Sequence, residues 1–160
     1  MKRRELGLFL AIASCVFGGT VFAQAMPTDI ELRTAYCIRV TGQQLQVMRE
    51  MIGGEPQGSP AYGAVQKLLQ DQATALNRLR SYLLPKLSSL QPDALIAAAG
   101  RADADMEQAK GAGTVCTKKC EHLQENGRPG EKWALCVEQC ADNPLTKRLR
   151  ACREPDWLPF

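Results

Sequence analysis

The stretch CTKKCEHLQENGRPGEKWALCVEQC, Cys116 to Cys140, sets two Cys-x-x-x-Cys pairs on either side of a turn. Residues four apart share one face of a helix. Val115, Cys116, Cys120 and Leu123 therefore make one apolar face, and Trp133, Cys136, Val137 and Cys140 make another. Between them ENGRPGE is turn chemistry, because Asn126-Gly127 and Pro129-Gly130 do not continue a helix comfortably. The pattern predicts a helical hairpin over 114–141 with two nested rungs, Cys116 with Cys140 and Cys120 with Cys136. Such rungs suit a disulfide, which needs Cα atoms roughly 4.4–6.8 Å apart with converging Cβ atoms. A bridge inside one helix suits it poorly, since Cβ vectors four apart run side by side.

Disulfides require an oxidising compartment, and the start of the chain supplies a route to one. Lys2, Arg3 and Arg4 precede the apolar run LGLFLAIASCVFGGTVF, which ends in small residues at Ala23 and Ala25. This is the pattern of a cleaved secretory leader over 1–25. A retained membrane anchor is disfavoured, because Ser14, Gly18, Gly19 and Thr20 interrupt a run that would need about 20 apolar residues. Ile12-Ala13-Ser14-Cys15 also resembles the bacterial lipobox, in which Cys15 would be acylated and become the first residue. The residues after Cys15 stay apolar, VFGGTVFA, whereas a lipoprotein usually turns polar there. The expectation is a periplasmic or secreted protein, with membrane attachment only if Cys15 is lipidated.

Removing the leader takes seven cysteines to six: Cys37, Cys116, Cys120, Cys136, Cys140 and Cys152. An even set in an exported chain reads as a disulfide framework, although six cysteines allow 15 connectivities. With the hairpin rungs assigned, Cys37 and Cys152 remain for each other. The formal charge of +3 loses three basic residues and one acidic one, leaving about +1. That is no domain-scale basic surface, so nucleic acid is not an expected partner.

The remaining residues form one helical domain over 26–160. Ile30, Cys37, Val40, Leu45, Met48 and Ile52 recur at helical spacing from Asp29 to Ile52, with Thr28 or Asp29 as cap. Gly42 would kink this helix, and Gly53 to Gly63 would be a flexible connector. Ala64 to Leu84 carries a second apolar stripe of Val65, Leu68, Leu69, Ala75, Leu76, Leu79 and Leu83, stopped by Pro85. A third helix starts at Pro92 and runs to Lys110, where Gly111-Ala112-Gly113 should break or bend it. The fold class is all-α, an irregular helical bundle with a disulfide-stapled hairpin near its C-terminus.

The cysteine hairpin resembles that of the small translocase chaperones of the mitochondrial intermembrane space, and more loosely the coiled-coil-helix proteins. The resemblance covers residues 116–140, and it implies the same nested pairing of Cys116, Cys120, Cys136 and Cys140.

Other chemistries fit less well. Four thiolates, or three with His122, could form a tetrahedral zinc site, but an oxidising compartment opposes it. Thioredoxin-type redox catalysis needs Cys-x-x-Cys beside a βαβ pattern, and neither is present. His122 stands alone on a charged helical face and has no Ser/His/Asp signature around it. Asp103, Asp105 and Glu107 read as a solvated helix face, and Met48 and Met51 as core. A hydrolase would need Glu50, Glu55 and Asp71 to converge. No cofactor and no catalytic residue are expected. Candidate partner contacts are the basic cluster Lys147, Arg148 and Arg150 (with Arg153) and the tail EPDWLPF over 154–160. In that tail Trp157, Leu158 and Phe160 either dock onto the bundle or are offered to a protein partner. The expected function is a non-enzymatic binding or envelope-associated module.

Overall fold

A computed structural model describes residues 24–53, 58, 60–124 and 130–159. The leader up to residue 23 with Cys15, the connector at 54–57 with Glu55, the turn at 125–129 and Phe160 lie outside the described residues.

The fold is all-α. Helix α1 spans Asp29–Gly53, α2 Pro60–Leu83, α3 Pro92–Cys120, α4 Glu131–Ala141 and α5 Pro144–Arg150; a 3-10 segment, Leu84–Ser89, joins α2 to α3. α1 begins where Thr28 and Glu31 satisfy each other. The Thr28 amide donates to the Glu31 carboxylate at 2.8 Å, and the Glu31 amide donates to Thr28 Oγ1 at 3.4 Å. This is a capping box, which occupies two amides that the first turn leaves without helical partners. α2 starts at Pro60, four residues before the expected Ala64. Proline is suited to a helix start, where its missing N–H costs nothing.

The three long helices pack around shared apolar faces. Ala35 of α1 meets Leu83 of α2 and Leu95 and Ala98 of α3. Farther along, Tyr36, Cys37 and Val40 of α1 meet Leu79 of α2 and Ala102 of α3. α1 and α2 are thus antiparallel, and α3 runs alongside α1 in the same sense. Small residues on α3, with Ala98 and Ala102 both fully buried, let it lie close against its neighbours. A short chain segment closes the lower end: the Ala25 amide donates to Ser89 O at 2.8 Å, and the Gln91 amide donates to Ala25 O at 3.0 Å.

The expected break at Gly111-Ala112-Gly113 is corrected. α1 runs unbroken through Gly42, and α3 runs unbroken through Gly111 and Gly113 to Cys120. A glycine in a helix interior costs only about 1 kcal/mol relative to alanine. Packing of α4 on the last turns of α3, with two crosslinks there, outweighs that cost. Val65 and Leu68 of the expected α2 stripe are also not core; Leu68 is exposed.

Glu31 is buried at the junction of α1 with the 3-10 segment. The Thr28 amide above all, then the Thr28 hydroxyl and the Lys86 ammonium 3.4 Å away, hold its pKa below the ordinary carboxylate value despite burial. On acidification the unfolded chain therefore takes up this proton first. The stabilisation is full above the ordinary carboxylate range and is lost as pH falls through the lower, folded value. Urea midpoints measured from pH 7 down to pH 3 should fall less steeply below about pH 4.5 for Glu31→Gln than for the parent. Parallel profiles would remove Glu31 from the acid sensitivity.

Candidate functional site

Three disulfides determine where the C-terminal third of the chain lies. Cys116–Cys140 and Cys120–Cys136 join α3 to α4 with Cα separations of 5.6 and 5.9 Å. α4 has no buried residue, so sulfur supplies much of what an apolar core would otherwise supply. Cys37–Cys152 ties α1 to the segment after α5, across 115 residues and with a Cα separation of 5.0 Å. In the chain-entropy account a loop of about 100 residues contributes roughly 4.7 kcal/mol. With every sulfur of the six bonded to a partner, none is a thiolate open to a metal.

Cys37 of this last bridge lines a concavity. α1, α3 and α5 converge around a pocket of about 310 Å³ lined by Leu32, Arg33, Tyr36, Cys37, Arg101, Asp105, Arg148 and Ala151. Tyr36 and Arg148 reach Asp105 from opposite sides. The Tyr36 hydroxyl donates to Asp105 Oδ2 at 2.7 Å, and the Arg148 guanidinium donates to the same oxygen at 3.1 Å. Burial and that carboxylate together push the Tyr36 hydroxyl pKa well above its usual value, so it is a fixed donor. Arg33 lies over the Trp157 ring, 4.2 Å from its centroid. The Trp157 indole N–H in turn donates to Ala151 O at 3.4 Å. Arg101 sits one turn before Asp105 on α3 and, among the described residues, makes no ion pair or side-chain hydrogen bond.

A second concavity of about 550 Å³ lies between α1, α2 and α3. Val47, Met48, Leu68 and Met106 give it an apolar floor, and Lys110 and Arg153 stand among its polar residues.

The structure redistributes the residues singled out from the sequence. Asp105 is not part of a solvated face, and Asp103, although exposed, is bonded to α1. Asp103 accepts from Arg39 at 2.7 Å and from Gln43 at 2.6 Å, and these contacts hold its pKa low, the Arg39 hydrogen bond foremost. Helical spacing alone hid this, because the partners lie on another helix 60 and 64 residues away in the chain. The basic cluster is likewise divided among internal partners. Arg148 pairs with Asp105, while Lys147 and Arg150 pair with Asp142 at 3.2 and 3.6 Å. In the tail, Pro155 and Leu158 are buried and Trp157 is half-buried. The segment is docked on the bundle, the first of its two expected arrangements. Met48 is core, and His122 is exposed with its ring nitrogen 3.0 Å from Lys119 O. Glu50 is exposed and bonded to Gln46, and Asp71 is exposed on α2.

Arg33, Tyr36 and Arg101 were not singled out by sequence reasoning. Each is an ordinary polar residue on an amphipathic helix, and no local motif links them.

Comparison with protein-family models, curated proteins and solved structures finds no match for the chain. Among the described residues no helix is long and apolar enough to cross a membrane.

A docked tail makes a quantitative demand. Leu158 is 4% exposed within the core that contains Val40 and Leu79. Leu158→Ala should lower the unfolding free energy by about 2–4 kcal/mol in urea denaturation of the oxidised protein. A loss below about 0.5 kcal/mol, the range of a surface change, would place the tail off the bundle.

Proposed function

We propose that this chain is an exported, non-enzymatic binding protein that works in the periplasm or outside the cell. The observation that carries the reading is that all six cysteines beyond the leader are paired in three disulfides. Such crosslinks persist in oxidising compartments and are rare in a reducing cytosol. A leader-like start supports the same destination. Ion pairs such as Arg39–Asp103 and Arg148–Asp105 act as struts between helices, which suits a scaffold that presents a surface rather than one that performs chemistry.

Leader removal after Ala23 agrees best with the fold. It leaves Gln24 and Ala25 in the mature chain, where Ala25 bonds Ser89 and Gln91 and the Gln24 carbonyl accepts from the Gln91 side chain at 3.3 Å. Cleavage after Ala25 would forfeit these bonds. Acylation at Cys15, the second reading, would keep them and add a lipid anchor. The likeness to the twin Cys-x-x-x-Cys chaperones is confined to the hairpin. We read it as convergent, since the same two rungs stabilise any short pair of antiparallel helices.

Cell fractionation with mass spectrometry of the native, unreduced protein tests the proposal. The expected result is an extracytoplasmic chain starting at Gln24, with no free thiol on alkylation of the denatured protein. An intact precursor inside the cell, or free thiols among the six, would overturn it. A diacylglyceryl-modified Cys15 would decide for the anchored form.

A further inference from the structure

Several carboxylates of the bundle are paired with cations from neighbouring elements. Asp103 takes Arg39, and Asp142 takes Lys147 and Arg150. In the pocket between α1, α3 and α5, Asp105 takes Arg148. Two guanidiniums on the same pocket wall, Arg33 and Arg101, have no carboxylate among the described residues. Three cations and one anion leave this pocket with a surplus of two positive charges. Arginine presents a planar fork of donors that matches an oxyanion in two parallel hydrogen bonds.

The wall between the charges narrows the ligand further. Leu32, Ala151 and the Cys37 position contribute apolar surface next to the arginines. Tyr36 is committed as a donor to Asp105, and Trp157 braces Arg33 from behind. Arg33 is thus held by a ring contact, which leaves mainly the Arg101 side chain for a ligand to order. A pocket of about 310 Å³ has room for a compact head and a small organic portion, not for a folded partner.

We propose that this pocket binds a phosphate monoester, with the phosphate dianion between Arg33 and Arg101 and the organic portion on Leu32 and Ala151. A phosphate monoester carries nearly two charges on one centre near neutral pH, which matches the surplus. A single carboxylate brings only one negative charge to a surplus of two. The ester can be free in solution or can be the exposed headgroup of a lipid. The inference rests on the reading of this chain as a binding protein and specifies its ligand.

Isothermal titration of the oxidised mature protein with phenyl phosphate, in about 50 mM salt where the Debye length still exceeds 10 Å, tests it. Saturable one-to-one binding is expected. Arg101→Gln and Arg33→Gln should each weaken it at least about tenfold, equivalent to about 1.4 kcal/mol. Lys118→Gln, an exposed change on α3 far along the chain from the pocket, should leave it unaltered. Benzoate should bind at least about tenfold more weakly than phenyl phosphate, since it brings half the charge. Near-UV circular dichroism of each variant checks that it is folded, and Arg101→Gln removes no contact that the fold uses.

Sedimentation with phosphatidylcholine vesicles, with and without phosphatidic acid, identifies the source. Capture that needs phosphatidic acid and is lost in Arg101→Gln supports a lipid headgroup. Phenyl phosphate binding without capture supports a soluble ester. Absence of saturable phenyl phosphate binding, equal affinity for benzoate, or an equal loss in Lys118→Gln would overturn the assignment. With the thiols still fully oxidised and the leader removed, such a result would discard the ligand and leave the exported binding protein in place. Free thiols would discard the latter whatever the phosphate result.

Discussion

The Cys37–Cys152 bridge joins the first helix to the end of the chain, and both half-cystines are buried to 1% exposure. Its consequence is positional as much as energetic. With Cys152 held against α1, α5 must lie across α3, which brings Arg148 to Asp105 and lowers Trp157 beneath Arg33. Leu158 then enters the same core as Val40 and Leu79. A crosslink worth roughly 4.7 kcal/mol in the chain-entropy account is comparable with the whole net stability of many domains, about 5–15 kcal/mol. Pocket, tail and half of the core stand on this one bond.

The hairpin obeys a different balance. α4 buries no residue of its own, and Val115 and Leu135 near it are exposed. Trp133 and Val137 give partial cover. Two rungs compensate for this thin core, the usual solution where apolar area is short. They also hold α3 helical across two glycines whose own preference is to end it.

Electrostatics divides the surface rather than stabilising it. Exposed ion pairs such as Arg39–Asp103 contribute little net free energy, commonly below about 1 kcal/mol. What they do is assign partners. With Asp105 taken by Arg148, the arginines left over in that pocket define where an anion would be welcome. The same assignment removes Lys147, Arg148 and Arg150 from the role of a free basic patch.

Much of the architecture was legible in the chain before folding was considered. Helical periods around Val40 and Leu79, the cap at Thr28, and the fourfold spacing of Cys116, Cys120, Cys136 and Cys140 are local patterns. Local patterns survive translation into structure because backbone geometry repeats every few residues. The bridge between Cys37 and Cys152 followed once the others were paired. Tertiary structure alone decided the fate of Asp103, Asp105, Arg148 and Leu158, and the placing of Arg33 and Arg101 around one pocket. Those outcomes depend on how one helix is rotated and crossed against another. A displacement of one residue along α3 would turn Arg101 out of the pocket without altering any periodicity, so no reading along the chain could contain that information.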